Sequence, residues 1–354
     1  MTFSRQLLDW YDVNKRDLPW RHTKDPYLVW LSEVIMQQTR VGQGLPYYEK
    51  FASAWPTVGD LAAAGEHDVL KMWQGLGYYT RARNLHATAR QVVEQYNGAF
   101  PGTYEALKAL KGVGEYTAAA IASIVFNLPH PVVDGNVVRF ITRLYGIREP
   151  VSLPSTRRLI LGLATQHIDH DRPGDFNQAM MEYGATVCTP ANPGCSGCIF
   201  SNGCASLSEG IVDIVPVRGA KPAVLHRVIH YLVITEGRIS GGDHIYLNRR
   251  TGSDIWKNLY DFPQPEGIAG SETDRSLTEE EIREVIQPGG MAFLGVSRKY
   301  VHQLTHQKLQ VRFYRFYSTG RAGLPFVAVP LSELAGYPVP RVVDRYLKDY
   351  AISG

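Results

Sequence analysis

One glutamate, Glu33, lies in a stretch of the sequence that is apolar on nearly every side. Residues 27–41 read YLVWLSEVIMQQTRV, and their spacing predicts a helix on which Glu33 faces a poorly solvated site. Burial raises the pKa of a carboxyl group, so Glu33 can stay protonated near neutral pH and serve as a general acid. Helical spacing places Gln37 and Arg40 on the same face, which predicts a pocket wall. The alternative is an ordinary core helix on which Glu33 pairs with Arg40 or a nearby lysine.

A second carboxylate, Asp134, occurs where residues 131–139 read PVVDGNVVR. It lies where a proline-led extended segment turns into a predicted helix, and the partial positive charge of a helix N-terminus favours an ionised carboxylate. The alternative is a plain N-cap with no chemistry. Glu33 would then be a neutral acid and Asp134 a charged carboxylate. Glycosidic-bond cleavage requires two carboxyl groups with these different roles.

A possible anion site lies in residues 110–120, which read LKGVGEYTAAA. A helix runs into the turn formed by Gly112 and Gly114, and an alanine-rich helix begins at once. The backbone N–H groups at such a helix N-terminus can hold an anion, and DNA phosphate is the natural candidate. The alternative is a tight turn between two helices without a ligand.

The sequence contains four cysteines, and all of them lie within 17 residues. They are Cys188, Cys195, Cys198 and Cys204, in the order C-x6-C-x2-C-x5-C. Such clustering in a chain without a secretory signal favours a metal centre over disulfides. Zinc and a [4Fe–4S] cluster both take four thiolates, and spacing alone leaves both open.

The elements that must position these residues divide the chain of 354 residues into two halves. Residues 1–205 read as helices with short glycine or proline breaks, which predicts an all-α domain. Residues 225–354 contain β-rich runs, which predict an α+β domain, and residues 206–224 suit a linker. The formal net charge is +3, a mild basic balance compatible with a polyanion partner. No run of 18 apolar residues occurs, so we expect a cytoplasmic protein without a membrane contact.

Several motifs together resemble one family, the adenine DNA glycosylases of the MutY type in the helix-hairpin-helix (endonuclease III) superfamily. They are RDLPWR at 16–21, SEVIMQQT at 32–39, GLGYY at 75–79, RARNL at 81–85, the hairpin, DGN at 134–136, FNQAMME at 176–182 and the four cysteines. The resemblance implies a mainly α glycosylase domain with a [4Fe–4S] loop at residues 188–204. It also implies excision of adenine mispaired with 8-oxoguanine or guanine from double-stranded DNA, with the adenine flipped out of the duplex.

The resemblance also implies a role for each matching residue. Glu33 is similar to the acid that protonates adenine N7, and Asp134 to the carboxylate that stabilises the oxocarbenium ion. Tyr116 lies where relatives with lyase activity have a lysine, which implies a monofunctional enzyme. The remaining assignments are adenine-pocket and mispair contacts at Arg16, Trp20, Arg21, Gln37, Tyr78, Asn136 and Glu182, and DNA contacts at Gln38, Thr39, Gly112 and Gly114.

The C-terminal half resembles the Nudix-like domain with which the family inspects 8-oxoguanine. Residues 300–307 read YVHQLTHQ, and Thr305 and His306 lie where many relatives have a Phe-Ser-His loop. The acidic run at 277–284 lacks the Glu spacing that holds Mg²⁺ on a diphosphate, so we expect no pyrophosphatase activity. That run is better explained as a helix start with a capping box from Thr278 to Glu281.

Basic residues interleaved with tyrosines suit phosphate contacts along a DNA groove. The candidates are Arg81, Arg83, Lys108, Lys111, Arg139, Arg143, Arg249, Arg250, Arg298 and Lys299. Two other functions remain open: an endonuclease III-like lyase acting on oxidised pyrimidines, and a DNA-damage binder without catalysis. We expect a monomer, associated with the bacterial nucleoid during repair.

Overall fold

The computed structural model describes residues 2–219, 223–238, 241–265, 276–286, 291–318, 325–350 and 352. Its N-terminal part is helical, as the sequence predicts. The α-helices there are α1 (Phe3–Asn14), α2 (Pro26–Met36), α3 (Val41–Ala54), α4 (Val58–Ala63), α5 (Glu66–Met72), α6 (Thr80–Tyr96), α7 (Tyr104–Lys108), α8 (Glu115–Ile124), α9 (Gly135–Tyr145), α10 (Pro154–His167), α11 (Pro173–Thr186) and α12 (Ala205–Ser208). Short 3₁₀ helices occur at Pro19–Arg21, Cys195–Gly197 and Ser201–Gly203.

Local capping explains where several of these helices begin. Asp25 caps α2 by accepting a hydrogen bond from the N–H of Tyr27 at 2.8 Å, and Pro26 occupies the first helical position. Thr57 and Asp60 form a capping box at the start of α4. The end of α2 differs from the prediction, because the helix stops at Met36 and Gln38 has a φ of 55°. Residues 37–40 therefore connect α2 to α3 and do not continue the Glu33 helix.

Helices α1, α9, α10 and α11 enclose an aromatic core. The buried residues at its centre include Tyr11, Phe140, Phe176 and Tyr183. Gly184 lets α11 approach α9 closely, since a Cβ atom at this position would lie 2.6 Å from the backbone oxygen of Asn136. This packing fixes the start of α9, where Asp134 and Asn136 lie.

The C-terminal part is a mixed sheet with helices, which confirms the predicted α+β class. Its elements are β1 (Leu225–Arg238), β2 (Gly241–Arg249), β3 (Tyr260–Asp261), α13 (Glu279–Ile286), β4 (Ala292–Val296), β5 (Tyr300–Gln303), β6 (Gln307–Ser318), β7 (Val327–Pro330), a 3₁₀ helix at Leu331–Gly336 and α14 (Arg341–Asp349). The strand order is β3-β2-β1-β6-β4, with β5 paired to β6 and β7 paired to β2. Strands β1 and β6 are parallel, and the other described pairs are antiparallel.

The predicted capping box in the acidic run is present at α13. The N–H of Thr278 donates to Glu281 Oε2 at 2.7 Å, and the N–H of Glu281 donates to Thr278 Oγ1 at 3.2 Å. These reciprocal bonds satisfy two N–H groups at the helix start. Glu281 is therefore engaged in capping the helix.

By its contacts the chain separates into two compact units. The first contains residues 2–64 and 84–219, and the second contains residues 65–83 together with the described residues from 223 onward. Most of the predicted linker packs within the first unit, where Val215 is buried and the N–H of Val151 donates to the carbonyl of Val217 at 3.0 Å. Among the helices of the described residues, none combines the length and the apolarity needed to cross a membrane.

Candidate active site

Glu33 lies on α2, and 9% of its surface is exposed. The pKa of its carboxyl group is raised to about 7. Burial raises it most, a hydrogen bond with Tyr116 lowers it, and the nearby negative charge of Asp134 raises it. The environment expected from the apolar sequence is therefore present. A carboxyl group with this pKa can hold a proton at neutral pH and release it to a substrate.

Asp134 caps helix α9. Its Oδ1 atom accepts hydrogen bonds from the N–H groups of Asn136 at 2.8 Å and Val137 at 2.7 Å, and its Oδ2 atom accepts from the Asn136 amide at 2.8 Å. These bonds lower the pKa of Asp134, as the sequence predicts, but burial outweighs them and raises it overall. The helix N-terminus thus offsets the cost of burying this carboxylate only in part.

Tyr116 lies between the two carboxyl groups and α11. Its hydroxyl group hydrogen-bonds with Glu33 and lies 3.4 Å from Met181 Sδ. Burial and the charges of Glu33 and Asp134 raise the pKa of Tyr116, so the phenol stays neutral. Tyr116 can therefore donate to ionised Glu33 or accept from protonated Glu33, and it fits either state of the acid.

A second polar cluster is built around Glu182, of which 1% is exposed. Arg16 Nε and Nη2 donate to its two oxygens at 2.6 and 2.7 Å, and Arg21 Nη2 donates at 2.8 Å. Burial alone would raise the pKa of Glu182, but these two arginines lower it to about 2. The neighbouring Trp20 packs edge-on against Tyr48, with ring centroids 5.2 Å apart.

Helix α11 contributes a residue to each of these two clusters. Met181 and Glu182 are adjacent on α11, so the residue that contacts Tyr116 precedes the residue that holds Arg16 and Arg21. Asn177, also on α11, accepts a hydrogen bond from the N–H of Val132 at 2.9 Å and fixes the segment that leads to Asp134. Sequence reasoning missed the roles of Met181 and Asn177, although both lie in the FNQAMME motif.

The turn after α2 carries three predicted contact residues. Gln37 Nε2 donates to Thr117 Oγ1 on α8 at 3.1 Å, which fixes the turn beside the helix that carries Tyr116. Gln38 is exposed, and Thr39 Oγ1 donates to the carbonyl of Gln37 at 3.2 Å. The prediction that Arg40 shares a helical face with Glu33 is wrong, because α2 ends at Met36 and Arg40 caps the start of α3.

The predicted hairpin connects α7 to α8. Gly112 has a φ of 75°, and a Cβ atom there would lie 2.6 Å from Asn84 Cβ, so both backbone conformation and space require glycine. Gly114 is the N-cap of α8, and within the described residues no side-chain hydrogen bond caps this helix. The exposed N–H groups at the start of α8 therefore retain the capacity to bind an anion.

The four cysteines line one hollow. Phe140, Val187, Phe200 and Leu207 form much of its remaining wall, and the four thiols form no disulfide. Among the described residues, no three His, Cys, Asp or Glu side chains converge closely enough to hold a single metal ion. Four thiols facing one hollow are a donor set that zinc and a [4Fe–4S] cluster both use.

Arg139 and Arg143 do not lie on an open surface, contrary to the expectation that they contact phosphate. Arg139 is 9% exposed; its Nε donates to the carbonyl of Cys188 at 2.7 Å, and its Nη2 donates to Asn136 Oδ1 at 2.9 Å. Arg143 is 3% exposed, and its Nη1 lies 3.5 Å from Cys188 Sγ. Both arginines are thus used to hold the cysteine loop against α9.

Tyr78, Thr305, His306, Arg250 and Arg298 belong to the second unit. Tyr78 is 51% exposed and has a backbone φ of 49°. Its hydroxyl group lies 2.9 Å from Thr305 Oγ1. His306 is exposed, and its carbonyl accepts a hydrogen bond from the N–H of Leu225. Arg250 is paired with buried Asp261 at 2.7 Å and Arg298 with Asp349 at 2.7 Å, so these two cations are already neutralised.

Segment 65–83 is held within the second unit by polar contacts along its length. Asn258 Nδ2 donates to Glu66 Oε1 at 2.5 Å, Lys71 Nζ donates to the carbonyl of Tyr337 at 3.2 Å, and Gln74 Nε2 donates to Asp344 Oδ1 at 3.2 Å. The loop that presents Tyr78 is therefore supported by the C-terminal sheet domain. Sequence order gives no sign of this, since the segment lies between two helices of the first half.

Comparisons with known proteins match both halves of the chain to known families and folds. A model of the HhH-GPD superfamily base excision DNA repair proteins matches residues 31–161, and a model of the NUDIX domain matches residues 235–349. A thermostable thymine-DNA glycosylase of known structure superposes with a TM-score of 0.54 and 30% identity, covering 58% of this chain and 95% of that one. An endonuclease III in a non-covalent complex with DNA, at 20% identity and a TM-score of 0.51, shares the fold and covers 59% of this chain and 94% of that one.

Two adenine DNA glycosylases match over most of the chain. The protein of Homo sapiens is 35% identical over 93% of this chain and 69% of its own length, and that of Buchnera aphidicola is 33% identical over 74% of each. The chain spans about half the length of the Arabidopsis thaliana protein (49%) and of the Rattus norvegicus protein (44%), which it also matches. With helical HhH-GPD and NUDIX parts in one chain and relatives of this identity, the chain belongs to the adenine DNA glycosylase family of base excision DNA repair enzymes.

Proposed function

We propose that this chain excises adenine mispaired with 8-oxoguanine or guanine by hydrolysing its N-glycosidic bond. The observation that carries the proposal is a buried carboxyl group, Glu33, with a pKa raised to about 7, beside Tyr116 and a second carboxylate, Asp134. An acid that is protonated at neutral pH and a neighbouring carboxylate are the two groups required to expel a base from a sugar.

In the proposed reaction Glu33 donates its proton to adenine N7, which makes the base a better leaving group. The C1′–N9 bond breaks, its electron pair leaves with adenine, and the sugar becomes an oxocarbenium ion. Asp134 stabilises that positive charge before water adds to the sugar. Asn136 and the two N–H groups that bond to Asp134 hold the carboxylate in one orientation.

Tyr116 supports a monofunctional reaction. A lyase step requires an amine that forms a Schiff base with the sugar, and a phenol cannot supply one. Its hydrogen bond with Glu33 suits a positioning role, in which it holds the acid in place through proton transfer. This argument disfavours the alternative of an endonuclease III-like lyase acting on oxidised pyrimidines.

The adenine pocket is proposed to include Arg16, Trp20, Arg21 and Glu182. Because two arginines lower the pKa of Glu182 to about 2, its carboxylate stays an acceptor, which suits the exocyclic amino group of adenine. Gln37, Gln38 and Thr39 on the turn after α2, and Tyr78 in the other unit, are proposed to contact the mispair and the strand around it. A phosphate would bind at the hairpin of Gly112 and Gly114.

Thr305 and His306 are proposed to inspect the purine opposite adenine. Both are exposed, and Thr305 shares a hydrogen bond with Tyr78. The Thr305 hydroxyl can donate or accept a hydrogen bond, so it can respond to the N7–H and O8 groups that distinguish 8-oxoguanine from guanine. The proposed partner is double-stranded DNA, bound by a monomer.

A [4Fe–4S] cluster is the proposed cofactor. Cys188, Cys195, Cys198 and Cys204 would supply its thiolates, and all four line one hollow. The cluster would neutralise the four thiolates and organise their loop, while proton transfer would remain with Glu33 and Asp134. Arg139 on α9 donates hydrogen bonds both to the carbonyl of Cys188 in this loop and to Asn136.

The proposal is tested with labelled duplexes that carry adenine opposite 8-oxoguanine, guanine or thymine. We expect strand breaks at adenine only after alkali treatment, with 8-oxoguanine or guanine opposite, and no covalent capture by borohydride. Strong borohydride capture would instead support the lyase alternative. Tight binding to mispairs with adenine left intact would support a non-catalytic damage binder.

A further inference from the structure

Tyr183 contacts the cysteine loop at two separate places. Its main-chain carbonyl accepts the N–H of Cys188 at 2.9 Å, and its side-chain hydroxyl lies 3.1 Å from Cys198 Sγ. Tyr183 is 0% exposed, and its ring packs against Trp10, Phe140 and Phe200 at centroid distances of 4.7, 4.9 and 5.5 Å. The rigid aromatic surroundings fix where the hydroxyl group points.

The hydrogen-bond partners determine the direction of the Tyr183 proton. The N–H of Ile199 donates to the Tyr183 oxygen at 3.0 Å, and an N–H group can only donate. A phenol has a single proton, so this proton is left for the sulfur of Cys198. A thiolate that ligates iron has no proton of its own, which makes the sulfur the acceptor.

We propose that Tyr183 is a positioning residue for the iron–sulfur cluster, which donates a hydrogen bond to the Cys198 thiolate and raises the reduction potential of the cluster. This inference rests on the cofactor proposed above. A donor to a ligating sulfur stabilises the added negative charge of the reduced cluster more than it stabilises the oxidised cluster. The bond also fixes Cys198, the third ligand, from a helix outside the cysteine loop.

The test compares two variants that each remove one buried phenol hydroxyl group. Tyr183→Phe keeps the packed ring and loses the donor to Cys198. Tyr11→Phe is the matched control, because Tyr11 lies in the same aromatic core, is 1% exposed, and donates to Gln178 Oε1 at 3.0 Å rather than to a sulfur. Iron content and visible absorption of each purified protein establish that the cluster is present, and voltammetry gives the reduction potential.

We expect Tyr183→Phe to lower the potential so that the reduced-to-oxidised ratio at a fixed potential falls roughly threefold to tenfold, where tenfold equals about 59 mV for a one-electron couple. Tyr11→Phe should leave the potential unchanged. Equal potentials in the wild type and Tyr183→Phe, or equal shifts in both variants, would overturn the inference. Absence of iron from the wild type would instead overturn the proposed cofactor, so the two failures are distinguishable.

A second variant covers the case in which Tyr183→Phe fails to retain the cluster. Tyr183→3-fluorotyrosine keeps the ring and the hydroxyl group but makes the phenol more acidic and therefore a stronger donor. The potential should then rise above that of the wild type. A potential that stays the same or falls would show that the Tyr183 hydroxyl group only packs beside the loop.

Discussion

Two buried carboxyl groups in this protein have pKa values shifted in opposite directions. The pKa of Glu33 is raised to about 7, mainly by burial, whereas two arginines lower the pKa of Glu182 to about 2 although it too is buried. The difference comes from their partners, since Glu33 has a neutral phenol and a nearby negative charge where Glu182 has two cations. One carboxyl group can therefore supply a proton while the other stays an acceptor.

The raised pKa of Glu33 predicts the pH dependence of base excision. The acid works in its protonated form, and the protonated fraction falls as the pH rises through the raised pKa. The single-turnover rate should therefore fall by about tenfold per pH unit above about pH 7. Rates measured between about pH 5 and about pH 9 test this, and a rate that increases with pH across this range would contradict the assignment.

The sequence predicts many of the residues of the site, but not which other side chains each of them contacts. The apolar run around Glu33 indicates its burial, and the PVVDGN pattern indicates that Asp134 caps a helix. The contacts of Tyr116 with Met181, and of Arg139 with Cys188 and Asn136, join residues that are far apart in the chain. Arg139 was predicted to contact phosphate because a sequence alone does not reveal which cations are buried.

Helices can be predicted from sequence because the residues that start, continue and end a helix lie close together in the chain. Helices α1 to α11 all lie within residues 1–205, which the sequence predicts to be all-α. The prediction extended α2 too far, because the Met-Gln-Gln-Thr-Arg run has helical composition but Gln38 takes a positive φ. The β-rich runs predict the α+β class but not the pairing of the short strands β4, β5 and β7, since that pairing depends on partners elsewhere in the sheet.

The hairpin between α7 and α8 is an element whose geometry can be broken by one methyl group. Gly112→Ala would place a Cβ atom 2.6 Å from Asn84 Cβ at a φ of 75°. We expect it to lower the free energy of unfolding by about 1–3 kcal/mol and to weaken binding to duplex DNA. Urea unfolding and fluorescence anisotropy with an undamaged duplex measure the two effects.

Gly162→Ala is the matched control for this experiment. Gly162 lies on an exposed face of α10 with no atom within 4 Å of an added Cβ. This substitution should leave DNA affinity unchanged and increase stability by up to about 1 kcal/mol. If Gly112→Ala behaves like Gly162→Ala, the hairpin does not require the left-handed conformation.

At the scale of the whole molecule, the chain order and the structural units do not coincide. Residues 65–83 follow α4, contain α5 and end in the first turn of α6, but they belong to the unit formed by the C-terminal sheet. Composition and periodicity do not reveal this, because the short helix α5 and the glycine-containing loop after it resemble the helices and breaks on either side. The proposed DNA-contact residue Tyr78 is thus supported by the unit that also contains Thr305.

This division predicts which regions become unstable together. Phe313 is 0% exposed and stacks on Tyr346 with ring centroids 3.9 Å apart, so Phe313→Ala should destabilise the second unit by about 3–5 kcal/mol. Hydrogen exchange in segment 65–83 should then accelerate with exchange in the sheet, while α9 and α11 stay protected.

The control for this experiment is Phe51→Ala, which removes an equally buried ring on α3 in the first unit. It should accelerate exchange in the helical unit and affect segment 65–83 less than Phe313→Ala does. If exchange in segment 65–83 responds to Phe51→Ala and not to Phe313→Ala, the segment belongs energetically with the helices.

The central claim is that Glu33 is the acid of an adenine-excising enzyme, and one measurement tests it most directly. Single-turnover cleavage of a duplex with adenine opposite 8-oxoguanine is compared for the wild type, Glu33→Gln and Glu115→Gln, where Glu115 is an exposed acid at the start of α8. The account predicts alkali-dependent breaks at adenine for the wild type and Glu115→Gln, and a loss of at least about a hundredfold in rate for Glu33→Gln. Wild-type cleavage retained by Glu33→Gln, or adenine left intact by the wild type, would contradict it.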